Sequence, residues 1–233
     1  MDNTEDHKYF LFLSSKKISF TVLNSQNQFF FNKETIINDV SIEESFDTLK
    51  NFLDQNILEI EKNLKSYVKE VFIIIYHNSF LNVDMSFNYN FKQKDFTTNH
   101  FTNSLIDLKN NFKKTIIDYE ISHMIINKFI IDEKIYTFMP NNIDFDNLFL
   151  ELKFICIKND TILNFKKILS KYQISLGKVL SFNYISKFKS SKNESIFNLA
   201  DKILGGLNQN EIFLINKSKK NKGFFEKFFN FFS

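Results

Sequence analysis

The chain has few of the residues that form tight turns and cross-links: its 233 residues include four glycines, one proline, one cysteine and no tryptophan. Phosphate-binding loops depend on glycine, because a residue without Cβ lets the backbone approach a phosphate closely. The scattered positions of Gly177, Gly205, Gly206 and Gly223 therefore exclude such a loop. A single cysteine, Cys156, excludes an intrachain disulfide framework, and its apolar surroundings at 149–157 predict a buried, reduced thiol.

Charge is nearly balanced, and no cluster of reactive side chains stands out. A net charge of +3 is too small to indicate a nucleic-acid partner. No serine or cysteine lies in a motif typical of a catalytic nucleophile, so the sequence predicts no catalytic residue. The four histidines are scattered and lack cysteine partners, which predicts that no metal is bound: His7, His77, His100 and His123.

Long apolar runs are also missing. Residues 1–10 carry acidic side chains before the first apolar run, unlike a secretory signal peptide. The most apolar stretch, 71–76, is far shorter than the roughly 20 residues that a membrane-spanning helix needs. We therefore expect a protein on the cytoplasmic face of a membrane, attached as a peripheral protein through its C-terminus.

Phenylalanine is abundant, with 31 residues, and its pattern at the C-terminus is the strongest signal in the chain. At 100° per residue, six phenylalanines of segment 223–233 fall on one arc of roughly 160°, while the polar residues fall on the opposite arc. A lysine-rich run precedes this segment. The predicted membrane-binding residues are Phe224, Phe225, Phe228, Phe229, Phe231 and Phe232, with Lys219, Lys220, Lys222 and Lys227.

An amphipathic segment of this kind is typical of a helix that lies in the membrane interface. As a helix, segment 223–233 would be about 16 Å long, which is roughly half the hydrocarbon core of a bilayer. Six partly buried rings would contribute roughly 5–9 kcal/mol before the ordering cost is subtracted, so binding should be reversible. Docking of the same face onto this protein's own core or onto a partner's groove remains the alternative.

The remainder of the chain alternates strand and helix patterns. The first part reads β-β-β-α-β, with strands at 9–13, 18–23, 28–31 and 71–76. Its helix begins at a capping box formed by Ser41 and Glu44. A second unit begins near Val83 and contains a helix at 101–112, strands at 121–131 and 148–157, a helix at 161–172 and a strand at 179–182.

Segment 121–133 of the second unit resembles a strand of the bacterial actin-like cell division protein FtsA. That family carries I-x-H-x-I-P-x-x-Y-x-I-D-G in its inserted subdomain, and this chain reads ISHMIINKFIIDE. The positions that fit include His123, Phe129 in the tyrosine position, Ile131 and Asp132. Ile126 replaces the family's proline and Glu133 replaces its glycine. The C-terminal segment resembles the family's membrane-targeting helix.

The resemblance implies an α/β to α+β fold: a partial actin-like, ribonuclease H-like layer with an inserted strand–helix–strand–strand subdomain and a C-terminal amphipathic helix. The expected parts are an actin-like domain at 1–82, the inserted subdomain at 83–186 and a helix with a glycine cap at 187–207. A basic linker at 208–222 and the amphipathic helix at 223–233 follow.

The sequence departs from the family where the family binds nucleotide. The first strand pair of FtsA has an aspartate that serves metal and phosphate chemistry, followed by a glycine. This chain has Phe12 and Ser14 near these positions, and a phenyl ring cannot hold a magnesium ion through water. We also expect the family's second large domain to be missing, because nothing after Phe182 has the length or the glycines for it. We therefore expect no ATP or other cofactor and no enzymatic activity.

By resemblance, the chain is expected to be a cell division adaptor that helps to anchor or assemble the FtsZ ring at midcell, with membrane lipids, FtsZ and other division proteins as partners. In the family, FtsZ binds the missing domain, so contact would need another surface, such as 212–215 or the N-terminal layer. Self-association is a further expectation. The alternatives are a membrane-tethered interaction module of a secretion or pilus platform, and a small ATPase whose dimer completes the nucleotide site.

Overall fold

A computed structural model describes residues 7–38, 41–89, 98–140 and 145–213. Within these ranges the chain forms two compact units. The first contains the residues up to Phe80 together with Ile157–Gly205, and the second contains Leu81–Cys156 together with the residues from Gly206 onward. No helix in the described ranges is both long enough and apolar enough to span a membrane.

The described residues form nine strands, five α-helices and a 3-10 helix at Ser186–Phe188. The strands are β1 (Lys8–Ser14), β2 (Lys17–Leu23), β3 (Phe29–Ile36), β4 (Glu70–Tyr76), β5 (Phe80–Tyr89), β6 (Tyr119–Ile131), β7 (Lys134–Tyr136), β8 (Leu148–Lys158) and β9 (Ser175–Ser181). The helices are α1 (Ser45–Leu64), α2 (Thr98–Thr115), α3 (Asn159–Ser170), α4 (Phe182–Ile185) and α5 (Ile196–Leu204).

The first unit contains a five-stranded sheet in the order β3-β2-β1-β4-β9. Strands β1, β2 and β3 are antiparallel neighbours, whereas β4 runs parallel to both β1 and β9. Three antiparallel strands followed by two parallel ones are the arrangement of an actin-like, ribonuclease H-like layer. The mixed α/β fold class predicted from the sequence is confirmed.

One face of this sheet is covered by α1 and α3. Alternate residues of the central strands, such as Leu11, Leu13 and Ile73, point toward the helices, and all are fully buried with the apolar faces of α1 and α3. The predicted capping box forms before α1: the Ser41 backbone N–H donates to Glu44 Oε2 at 2.8 Å, and the Glu44 N–H donates to Ser41 Oγ at 3.2 Å. The bond from the Ser41 backbone lowers the pKa of the Glu44 carboxyl.

The second unit contains a four-stranded sheet in the order β5-β8-β6-β7. The apolar face of α2, formed by Phe101, Leu105, Leu108 and Phe112, is buried in its core, where the Phe112 ring stacks on Phe154 at a centroid distance of 4.0 Å. Cys156 lies in the same core with no exposed surface, as the sequence predicts. Burial raises the pKa of its thiol to about 12, so this cysteine is unreactive at neutral pH.

Two segments belong to different units from those expected from the sequence. Helix α3 and strand β9 lie within the predicted insert 83–186, but β9 pairs with β4 and α3 packs in the first core. Residues 208–213 lie within the predicted linker, but they pair with β6 in the second unit. For α3 and β9 the local pattern indicates the type of element, whereas the unit they join is set by distant parts of the chain. For 208–213 the prediction of a linker is wrong, because its pairing with β6 leaves no mark in the local pattern.

Strand β7 is a further element that the sequence pattern missed. It follows a two-residue turn in which Asp132 and Glu133 have φ of 44° and 68°. This left-handed conformation usually carries glycine or asparagine, so an Asp-Glu pair gives little warning of a hairpin. Asp132 also stabilises the neighbouring loop, because its Oδ1 accepts the backbone N–H of Asn147 at 2.9 Å.

Candidate functional site

The ten residues predicted to bind membrane lie outside the described residues, as all of them belong to segment 219–232. The second region of functional interest is fully described. It is the face of the first sheet opposite α1 and α3, around the turn between β1 and β2 where the FtsA family binds phosphate and metal.

An aromatic cluster occupies this face. Phe12 is 8% exposed, and its ring contacts Phe182 and Phe197 edge-on at centroid distances of 5.9 and 6.4 Å. Phe10 contacts Phe72 at 5.8 Å and Phe197 at 6.1 Å. These contacts are in the range in which aromatic pairs stabilise each other beyond the area they bury. We define the aromatic cluster as Phe10, Phe12, Phe29, Phe72, Tyr76, Phe182 and Phe197.

The turn beside the cluster uses its polar groups internally. Ser14 Oγ accepts the backbone N–H of Lys17 at 3.0 Å and that of Lys16 at 3.3 Å. The ammonium of Lys17 lies 3.1 Å from Glu34 Oε2 and 5.8 Å from the centre of the Phe12 ring. The serine hydroxyl and the lysine that follow Phe12 are therefore engaged by the protein itself.

Helix α5 carries Phe197 into the cluster and is held in place at several points. Ser195 Oγ accepts the backbone N–H of Phe197 at 3.2 Å, which caps the helix. The ammonium of Lys8 on β1 donates to the buried carboxylate of Asp201. A hydrogen bond from Lys202, supported by bonds from Ser190, lowers the pKa of Glu194 to about 2. The helix is thus a fixed part of the face.

Close packing also accounts for one of the rare glycines. A Cβ on Gly177 in β9 would lie 2.7 Å from Cε1 of Phe72, a member of the aromatic cluster. Real Cβ contacts are essentially never that short. Gly177 therefore lets β9 pass beside the cluster, which is a packing role and not a phosphate-binding one.

The second unit contains a buried polar pair, and the sequence analysis had singled out only one of its two members. His123 Nδ1 lies 2.8 Å from Glu211 Oε1, and the two side chains are 0% and 1% exposed. His123 was predicted as a strand residue. Glu211 was not predicted, because nothing in its local sequence shows that 208–213 returns to β6.

Main-chain bonds accompany this pair. The backbone N–H of Ile126 donates to the Asn210 carbonyl at 2.9 Å, and that of Ile212 donates to the Met124 carbonyl at 2.8 Å. Asn210 Nδ2 donates to the Thr137 carbonyl at 2.8 Å. The segment just before the lysine-rich run is therefore a paired part of the second unit.

The other reactive side chains do not assemble into a site in the described ranges. His77 Nδ1 lies 3.1 Å from Ser79 Oγ in the turn after β4. Across the described part of the chain, no three His, Cys, Asp or Glu side chains lie close enough together to hold a metal ion.

Comparisons with known proteins give similarity of fold at low identity. No family model matches the chain, and no curated protein matches it. Membership of the FtsA family is therefore not shown.

Similar solved structures include the cytoplasmic domain of EpsL, an inner membrane component of the Vibrio cholerae type II secretion system, at 9% identity and a TM-score of 0.36, covering 80% of this chain and 61% of that one. The PilM-PilN type IV pilus biogenesis complex matches at 4% identity and a TM-score of 0.42, and the match covers 78% of this chain and 49% of that one. A Bacteroides thetaiotaomicron protein with an actin-like ATPase fold and unknown function matches at 16% identity and a TM-score of 0.34, and the match covers 81% of this chain and 58% of that one. The chain thus spans about half to three fifths of the solved chains, and likeness at this level assigns no residue a role.

Proposed function

We propose that this chain is a non-enzymatic adaptor that holds protein partners at the cytoplasmic face of a membrane. The observation that carries the proposal is the aromatic cluster around Phe12. By the resemblance to FtsA, Phe12 stands at the position of that family's metal- and phosphate-binding aspartate, and its packing in the cluster leaves the fold as a scaffold for binding.

Several contacts support the absence of nucleotide chemistry. Phe12 offers no oxygen to a magnesium ion or its water, and it is packed between Phe182 and Phe197. A phosphate at this face would displace buried aromatic surface, at a cost of about 25 cal/mol per Å² exposed. Lys17, whose ammonium lies 5.8 Å from the centre of the Phe12 ring, is already paired with Glu34.

The proposal is tested by thermal unfolding of the full chain with and without Mg-ATP. A ligand at 100 times its Kd stabilises the folded state by about 2.7 kcal/mol, which is a readily measured rise in Tm. We expect no rise at millimolar Mg-ATP, and a nucleotide-binding actin-like protein run alongside provides the positive control. A concentration-dependent rise would overturn the proposal and favour the ATPase that completes its site as a dimer.

The membrane part of the proposal rests on segment 223–233. Wound as a helix, this segment would carry six phenylalanines on one arc behind a lysine-rich run, a pattern that can bind an anionic bilayer weakly and reversibly. Weak attachment of each subunit becomes firm when many subunits bind one assembly, because the effective local concentration is high. Such an adaptor needs no nucleotide cycle to hold its partners at the membrane.

We propose two settings for this adaptor. One is a secretion or pilus platform, the setting of EpsL and of the PilM-PilN complex. The other is the division machinery with FtsZ, which is favoured by the resemblance of 121–133 and of the C-terminal segment to FtsA. Fluorescence imaging of the tagged full chain in dividing cells, together with co-purification, separates the two settings. A band at midcell supports division. Foci elsewhere on the membrane, with platform proteins co-purifying with the chain, support a secretion or pilus role.

A further inference from the structure

Segment 208–213 is held on β6 by main-chain bonds and by a pair of titratable side chains. The main-chain bonds lie on either side of the Ile125–Glu211 bridge. In the side-chain pair, His123 Nδ1 lies 2.8 Å from Glu211 Oε1, and the two side chains are 0% and 1% exposed. Because both side chains are shielded from water while the segment is in place, their protonation is linked to whether the segment is in place.

The pair lies on the face of the second sheet opposite α2. Met124 and Ile126 of β6 belong to the core under α2, so His123, which alternates with them, points to the other face. Ile212 packs against the same core, so its neighbour Glu211 points the same way as His123. The two side chains therefore meet across the edge of the sheet, on a face that α2 does not cover.

The charged neighbours on this face are engaged with one another. Four charged side chains of the described strands of this sheet share the face with the pair: Asp84 on β5, Lys128 on β6, and Glu151 and Lys153 on β8. Lys128 Nζ lies 2.8 Å from Glu151 Oε2, and Lys153 Nζ lies 3.5 Å from Asp84 Oδ1. Their charges cancel in pairs, so they favour neither a net positive nor a net negative state of His123 and Glu211.

Helix α2 lies on the other side of the sheet. Its titratable and charged residues are His100, Asp107, Lys109, Lys113 and Lys114. Lys113 Nζ lies 2.8 Å from Glu120 Oε1 near the start of β6. The charges of α2 face His123 only across the apolar core that contains Met124 and Ile126.

The hydrogen bond between the two side chains fixes how many protons the closed pair carries. A neutral imidazole that donates to an ionised carboxylate would leave a net negative charge in a fully buried site, which is costly. A pair without net charge carries one more proton, either as an imidazolium with a carboxylate or as a neutral imidazole with a carboxylic acid. Both forms hold the same number of protons, so the pH dependence is the same whichever atom carries the proton.

The opened pair carries fewer protons as the pH rises. In water the ordinary pKa is about 6.5 for histidine and about 4.3 for glutamate, so between these values an opened pair also holds one proton. Above about pH 6.5 the opened pair holds none, and each opening releases a proton. Closure therefore weakens about tenfold for each pH unit above this value. Below about pH 4.3 the opened pair takes up a second proton, and closure weakens again.

We propose that His123 and Glu211 form a pH-dependent latch that holds 208–213 on β6 in mildly acidic solution and opens about tenfold more often for each pH unit above about 6.5. The term latch here means these two side chains together with segment 208–213. The latch is a property of the second unit and does not depend on the proposed adaptor function.

Opening of the latch changes how much chain precedes the predicted membrane-binding segment. With the latch closed, the described chain is held to the second unit as far as Ile212. With the latch open, the preceding fixed bond is that of the Gly205 N–H to the Asp201 carbonyl at the end of α5. Opening thus adds residues 206–213, roughly 26 Å of extended chain, to the stretch before 223–233. A longer reach toward a membrane is the part of this inference that rests on the proposed function.

Amide hydrogen exchange of the full chain, followed by NMR without vesicles, tests the latch. The amides of Ile126 and Ile212 report on it directly, since both donate bonds between β6 and 208–213. After correction for intrinsic exchange, their protection factors are expected to fall about tenfold from pH 7 to pH 8. The amides of Leu152 in β8 and Ile73 in β4 should change less than about twofold. An equal fall at Leu152 would mean that the whole unit unfolds, which would overturn the latch.

Glu211→Gln is the matched variant for this experiment. A glutamine amide bonds to a neutral imidazole without the additional proton. The protection factors of Ile126 and Ile212 in Glu211→Gln are therefore expected to change less than about twofold from pH 7 to pH 8. A tenfold fall that persists in this variant, or no fall in the unaltered chain, would contradict the proposal.

A spectroscopic measurement on the unaltered chain decides the question even if Glu211→Gln fails to fold. The ring nitrogen shifts of His123 and the carboxyl carbon shift of Glu211 report their protonation directly. At pH 7 we expect one of the two groups to be protonated, as an imidazolium or as a carboxylic acid. A neutral imidazole together with an ionised carboxylate would overturn the proposal. Neither measurement includes a membrane, so failure of the latch and failure of membrane attachment are distinguishable.

Discussion

Replacing Glu211 with alanine is expected to destabilise the second unit by about 3 kcal/mol, because it removes a carboxylate that contacts His123 Nδ1 at 2.8 Å in a fully buried site. Amide hydrogen exchange with mass spectrometry is the suitable measurement, since it reports on each unit separately. Exchange should become faster in β6 and in 208–213, while β1 and β4 of the first unit keep their protection.

The control for this prediction is Glu34→Ala, which removes a carboxylate from a surface pair that is half exposed. Such pairs contribute about 0–1 kcal/mol. Replacing both Glu211 and His123 with leucine should recover part of the loss, because neither member of the pair is then left buried without the other. If Glu211→Ala changes exchange no more than Glu34→Ala does, the pair does not hold the C-terminal segment.

Replacing Phe12 with alanine is expected to lower the free energy of unfolding of the first unit by about 3–4 kcal/mol. The ring is almost completely buried and lies between Phe182 and Phe197, so its removal leaves a cavity in the aromatic cluster. Denaturant unfolding followed by circular dichroism, at an unchanged m-value, measures the loss.

Phe30→Ala is the matched control for Phe12→Ala, because Phe30 is about half exposed and its removal should cost less than about 1 kcal/mol. A small effect of Phe12→Ala would mean that the ring is loosely held and that the face can open for a ligand. A large effect supports the view that this face now serves packing and not nucleotide binding.

The sequence predicts most elements of the fold but not their assembly. Strands β1, β2 and β4 follow from short apolar runs, and α1 follows from its capping box and the spacing of Leu49, Leu53 and Ile57. The place of β9 beside β4 was not predicted, because a strand pattern does not identify its neighbour. Strand β7 was missed because its turn carries Asp132 and Glu133 at positive φ instead of glycine.

The candidate site shows the same limit. The resemblance to FtsA predicts that Phe12 stands at the position of an acid, but Phe182 and Phe197 reach it from distant parts of the chain. Glu211 has no local signal, since its importance depends on the return of 208–213 to β6. A buried ionisable residue in a predicted strand, such as His123, is the only hint that a polar partner exists elsewhere.

The central claim, attachment of a non-enzymatic adaptor to a membrane, is tested most directly by flotation of the full chain with anionic vesicles. We expect the protein to float with the vesicles and the double variant Phe228→Asp with Phe229→Asp to remain unbound, because two charges then lie in the apolar arc. The control, Asn230→Asp with Ser233→Asp, adds the same charge to the polar arc and should still float. Flotation that is equal for the two double variants, or absent for the unaltered chain, would contradict membrane attachment through the C-terminal segment.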